Sequence, residues 1–207
     1  DMKKNGIERA IVNMQNEDIQ NFAHEKYAGL PKSIGDLGYL TSRYDQYRDC
    51  FMKDPDSDPW CRMNSASFPG TVAMRENGRM WQAFGPKSGV INVNLAVDLA
   101  RRHTADDLQH NAYTARFIDC EGSVSIAEGI DWSPEHPCDA YQVPKARAEL
   151  LKMIHEEKKL PVGTECGNDY LLPHLYWLEG AMTLVRYVSL AVGDTPTDAP
   201  QRHGSFE

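Results

Sequence analysis

A chain of 207 residues, 41% hydrophobic and 25% charged, is long enough to bury a core and too apolar to be wholly disordered. Its formal net charge of -8 excludes a surface that attracts nucleic acid or an anionic membrane through its summed field, and no run of Lys and Arg makes a local exception. The chain reads as a single globular domain over residues 1–193 with a Pro-rich polar tail over 194–207. It begins at Asp1 without an apolar signal core, as a processed product would.

Ile7, Ala10, Ile11, Met14 and Phe22 form a one-sided stripe, which predicts an amphipathic helix over residues 5–27. Gly29, Pro31 and Gly35 break it, and Ile34, Leu37, Leu40 and Tyr44 suggest a second, shorter helix. The clearest strand signal spans residues 71–84, where two apolar runs flank Glu76-Asn77-Gly78. Asn-Gly accepts the positive φ angles of a tight hairpin turn, and Val90, Ile91 and Val93 offer a third short strand. Asn94 is placed to cap a helix over residues 95–102. Thr104 and Asp107 have capping-box spacing for another over 105–119, the two merging into one rod if the cap is not used. Pro144 sits at a favoured first helical position, and Leu150, Leu151 and Ile154 face inward from the helix that follows. Residues 170–192 are the most apolar stretch. Glu179 and Arg186 inside it argue against a membrane span, so a central core helix is expected there.

The fold class predicted from these elements is α+β and mainly helical, with amphipathic helices packed around a small antiparallel, hairpin-based sheet. Five cysteines suggest two staples, Cys50 with Cys61 and Cys120 with Cys138, each closing a segment poor in core-forming residues, and leave Cys166 over. Paired cysteines point to an extracytoplasmic setting, whether secreted, periplasmic or intermembrane.

Three constellations offer chemistry. Asp54, Asp56 and Asp58 alternate as oxygen ligands of calcium do, but Pro59 and Ser65 stand where an EF-hand needs Gly and Glu, so any calcium-stabilised binding module is of another kind. His103, Asp107 and His110 share one helical face, yet ligands in a row spread over about 10 Å and do not converge on one ion. Cys166 precedes the expected apolar helix, whose N-terminus would lower its thiol pKa, and His174 follows within two turns, with Glu165 or Asp169 as orienters of a histidine. Other carboxylates, Glu17, Glu25 and Asp45 among them, offer pairs for hydrolytic acid and base work. Phe68, Trp81 and Phe84 read as core. With no phosphate loop, dinucleotide fingerprint or metalloprotease motif, the expected function is that of a non-catalytic accessory protein binding a protein partner in a larger assembly. A hydrolase using Cys166 and His174 is the alternative.

Overall fold

The computed structural model describes residues 2–14, 29–52, 64–85 and 87–180. In chain order its elements are strand β1 (Ile11–Met14), helix α1 (Leu30–Gly35), strands β2 (Leu40–Gln46), β3 (Asp49–Phe51) and β4 (Ser88–Val90), helix α2 (Val93–His110), strand β5 (Ala115–Gly122), helix α3 (Gln142–Glu156), and strands β6 (Val162–Cys166) and β7 (Trp177–Glu179). Five strands form one sheet in the order β1-β2-β5-β6-β7, every neighbouring pair parallel. Strands that pair in chain order, all parallel, with α2 and α3 as crossovers, are the arrangement of about half of an α/β barrel.

The expected antiparallel, mainly helical fold is therefore corrected. Residues 111–119 are not helix: α2 stops at His110 and β5 takes over. Residues 11–14 are a strand, not part of an amphipathic helix, and residues 177–179 are a strand inside the expected core helix, whose remainder beyond 180 lies outside the described residues, as does the expected tail. Short apolar runs buried on both faces lose the alternation that marks a strand, and periodicity then fails to separate them from helix. The predicted hairpin is present, with Met74 bridged to Met80 and Gly78 at φ 74°, but it belongs to an antiparallel excursion between β2 and α2 that also contains β3 and β4. Among the described residues no helix is long and apolar enough to cross a membrane.

Nor do disulfides hold the fold. Cys50, Cys120, Cys138 and Cys166 carry free thiols, and Cys61 lies outside the described residues. The polar segments are tied by hydrogen bonds instead. Asp131 accepts from the amides of Met74 and Ser133, from Asn92 Nδ2 and from His136 Nδ1 at 2.6–2.9 Å. Asn64 Nδ2 donates to the carbonyls of Gln46 and Asp49, both at 2.9 Å.

Helix α2 is capped by Asn92, whose Oδ1 accepts from Asn94 and Leu95. Its buried stripe of Ala96, Val97, Ala100, Thr104 and Asp107 lies on the sheet. Where it crosses β2 and β5, two arginines and two aspartates meet out of water. Arg116 Nη2 is 2.6 Å from Asp107 and its Nη1 3.2 Å from Asp45, while Arg43 reaches both carboxylates at 3.4 Å. Burial pushes the Asp45 carboxyl above its ordinary range against the opposing pull of Arg116 and Arg43. Asp45 is thus part of the wall between sheet and helix, not an acid or base for hydrolysis.

His103 stacks near the Tyr47 ring at 5.8 Å, and His110 Nδ1 turns to the Asp106 carbonyl at 2.9 Å, so the three-residue row on α2 is dispersed among separate partners. Burial, with Arg102 and Arg43 nearby, lowers the His103 pKa to about 4. A depressed histidine is protonated first in the unfolded chain. Its stabilising contribution is complete above pH about 6.5 and is lost as pH falls toward 4. In urea titrations the wild type is expected to lose more stability than His103→Gln across that window; parallel curves would contradict this.

Candidate active site

Along each strand of the parallel sheet, side chains alternate between the helix layer and the concave inner face. Arg43, Asp45, Arg116 and Ile118 take the helix side. The registers Tyr44 with Phe117, Gln46 with Asp119, Phe117 with Gly163, and Glu165 with Glu179 therefore place Tyr44, Gln46, Phe117, Asp119, Glu165, Trp177 and Glu179 on the inner face. Asp119 and Glu165 stand toward the C-terminal ends of adjacent strands, the end at which α/β barrels carry their sites.

One oxygen of Asp119, the Cys120 sulfur and one oxygen of Glu165 all lie within 4.8 Å of one another. The Tyr44 hydroxyl donates to Asp119 Oδ2 at 2.7 Å, and the Cys120 thiol lies 3.4 Å from the same oxygen. Ser123 Oγ donates to Glu165 Oε2 at 2.7 Å. Burial, then the hydrogen bond to Asp119, pushes the Tyr44 hydroxyl far above its usual range, so it remains a donor. Burial and the Asp119 charge likewise keep the Cys120 thiol protonated. A cavity of about 220 Å³ opens onto Asp119 and Cys120 and is walled by Tyr44, Gln46, Arg48, Asp49 and Phe84. Phe84, expected in the core, is 66% exposed at its rim. Trp81 instead packs under the Arg75 guanidinium, 4.1 Å from its ring centroid.

The geometry depends on a bulge. The register between β5 and β6 shifts between Ile118 and Gly122, and Cys120 takes φ 70°, which keeps its side chain beside that of Asp119. Gly122 lets the two strand ends close: a Cβ there would sit 2.5 Å from the Glu165 carbonyl oxygen. Asn168 Nδ2 donates to the Gly122 carbonyl at 3.0 Å and ties the loop after β6 to the same point. Gly122→Ala is expected to lower the melting temperature and to separate Asp119 from Glu165, at about 1–3 kcal/mol for overpacking. A variant with wild-type melting and wild-type catalytic behaviour would contradict that role.

The residues proposed from sequence fall elsewhere. Cys166 is buried at the end of β6, not ahead of a helix, with Sγ 3.1 Å from the Gly180 carbonyl. His174 closes the short 3-10 turn Leu172–His174. Asp54, Asp56 and Asp58 lie outside the described residues. The donor set on the inner face, two carboxylates and a thiol, suits a thiophilic cation such as zinc better than calcium. From sequence alone Asp119 carries no role, Cys120 falls in an expected disulfide and Glu165 stands as an orienter of a histidine.

Residues 1–196 match the family described as glycosyl hydrolases related to GH101 family, GH129. The chain belongs to this family. Its membership overturns the expectation of a non-catalytic accessory protein defined by disulfides and protein partners. The fold agrees: the α-N-acetylgalactosaminidase NagBb from Bifidobacterium bifidum, in complex with GalNAc, superposes with a TM-score of 0.70 at 17% identity over 89% of this chain and 31% of that one. A noncanonic maltogenic α-amylase, AmyB from Thermotoga neapolitana, gives 0.56 at 10% identity over 97% of this chain and 47% of that one. An α-galactosidase from Thermus thermophilus gives 0.50 at 16% identity, with 81% and 34% covered. The GH129 chain thus spans about a third of the length of NagBb. Comparison with curated protein sequences returns no match.

Proposed function

We propose that this GH129 chain carries the catalytic carboxylate pair of a retaining glycoside hydrolase, with Asp119 as nucleophile and Glu165 as acid and base. The observation that carries the reading is the spacing of the two carboxylates, one oxygen of each within 4.8 Å of the other, at the ends of adjacent strands. Retaining enzymes hold their carboxyls about 5–5.5 Å apart, whereas inverting enzymes leave about 6.5–9.5 Å for a water molecule.

The roles follow from position. Asp119 lines the cavity and faces whatever sugar fills it, while Glu165 stands outside that lining, where a leaving group departs. Asp119 attacks the anomeric carbon as the bond to the leaving oxygen breaks, and that oxygen takes the Glu165 proton. Water then attacks the same carbon, gives its proton to Glu165 and releases Asp119. At about 220 Å³ the cavity is smaller than those that take drug-sized ligands, about 300–1,000 Å³, and suits a single sugar ring. That NagBb is an α-N-acetylgalactosaminidase favours an α-linked N-acetylgalactosamine.

Proton NMR of the first product from an aryl α-N-acetylgalactosaminide tests the stereochemistry. The α-anomer should appear before mutarotation; initial β-anomer would reject the retaining assignment.

A further inference from the structure

The two carboxylates are not symmetric in their surroundings, and the asymmetry assigns individual oxygens. Asp119 Oδ2 receives the Tyr44 hydroxyl at 2.7 Å and has the Cys120 thiol at 3.4 Å. Glu165 Oε2 receives the Ser123 hydroxyl at 2.7 Å. An oxygen engaged by a donor at such a distance has less electron density to offer and is fixed in direction. Resting on the retaining reading above, we infer that Tyr44 and Ser123 are positioning residues that sort the carboxylate oxygens: Asp119 attacks through Oδ1, and Glu165 delivers and recovers its proton at Oε1.

The sorting is built into the fold. Tyr44 pairs with Phe117 in the sheet register and packs on its ring at 5.9 Å, so its hydroxyl is carried by a rigid neighbouring strand. Because its hydroxyl stays protonated, it never competes with Asp119 for a proton. Ser123 follows the bulge directly, and of the two acceptors near its hydroxyl, the Cys120 carbonyl at 3.2 Å and Glu165 Oε2 at 2.7 Å, the closer and charged one takes its single proton. In the first step the new C1–Oδ1 bond forms while the C1–oxygen bond to the leaving group breaks, its electron pair going to the oxygen that takes the Oε1 proton. During that step Asp119 loses its charge and Oδ2 becomes the carbonyl of the ester. Tyr44 holds the resulting plane of the carboxyl group, and Ser123 keeps Oε1 aimed at the departing oxygen.

The test compares kcat/KM for two aryl α-N-acetylgalactosaminides, one with a poor phenol leaving group and one with a dinitrophenol that departs without protonation. Tyr44→Phe keeps the ring stacking and should lose about tenfold on both, as expected for one hydrogen bond to a charged group. Ser123→Ala should lose about tenfold on the poor leaving group and almost nothing on the dinitrophenyl substrate, with Ser123→Thr restoring the loss. Equal losses of Ser123→Ala on both substrates indicate a merely structural role and overturn the inference, as does wild-type kcat/KM in Tyr44→Phe. If Asp119→Asn itself retains activity the retaining reading falls; if Asp119→Asn is inactive and Tyr44→Phe is unchanged, only the inference falls.

Discussion

Asp119→Asn is expected to lower turnover of an aryl α-N-acetylgalactosaminide by a factor on the order of 10⁴, leaving the melting temperature within about 2 °C of wild type. The amide keeps the shape of the side chain and still accepts from Tyr44, so the fold has no reason to respond. What disappears is the anionic oxygen that the proposed mechanism bonds to the anomeric carbon. Asp119→Gly leaves a gap where the proposed nucleophile stood. Added azide should enter that gap, restore turnover and leave a β-glycosyl azide, since a small anion attacks from the face the carboxylate used. Glu165→Gln should instead lower kcat/KM severely only with poor leaving groups, because a dinitrophenolate needs no proton to depart, while kcat falls on both because the second step has lost its base. Wild-type rates in either variant would remove that residue from the mechanism.

Arg116→Met should be the most destabilising single change on the helix side of the sheet. The guanidinium is fully buried and lies 2.6 Å from Asp107 and 3.2 Å from Asp45, and with Arg43 the four groups sum to zero charge. Removing one arginine leaves two aspartates sharing one cation out of water. Breaking a buried pair in this way costs about 3–5 kcal/mol, which in a chain of this size is roughly 10 °C in melting temperature. The set as a whole need not stabilise the fold, since burial penalises the charged form of Asp45 that the two arginines favour. The double variant Arg116→Met with Asp107→Leu restores neutrality and should therefore regain much of the loss. Differential scanning calorimetry of the single and double variants checks both statements; additive losses would show that packing, not charge balance, governs the site.

Parts of this architecture were legible in the sequence, for reasons tied to particular residues. The stripe of Leu150, Leu151 and Ile154 predicts α3, because one face of it alone meets the sheet. Asn77-Gly78 predicts its turn because Gly78 takes the positive φ that the turn demands. The parallel sheet was hidden. Thr104 and Asp107 have the spacing of a helix start, yet both are fully buried within α2, where Asp107 meets the arginines of two strands. Arg43 and Asp45 in β2 and Arg116 in β5 put charge on the helix side, where a buried strand is expected to be apolar. The capping-box spacing therefore predicts helix through Asp119, and no periodicity pairs Ala115-Arg-Phe-Ile-Asp119 with Val162-Gly-Thr-Glu165. A signal existed: two short runs, each ending in a carboxylate and each followed by cysteine, have the form of strands that present acid groups at their C-terminal ends. The cysteines drew attention to the right positions and suggested the wrong chemistry for them, a staple where Cys120 is a thiol beside a carboxylate.

The central claim is that Asp119 forms a covalent bond to the sugar. The most direct measurement is mass spectrometry of the protein after incubation with a 5-fluoro-α-glycosyl fluoride of N-acetylgalactosamine, whose glycosyl-enzyme forms faster than it hydrolyses. One added sugar per chain, mapped after proteolysis to Asp119 and absent from Asp119→Asn, is the predicted result. An unmodified protein that still turns the reagent over, or a label on any other residue, would contradict it.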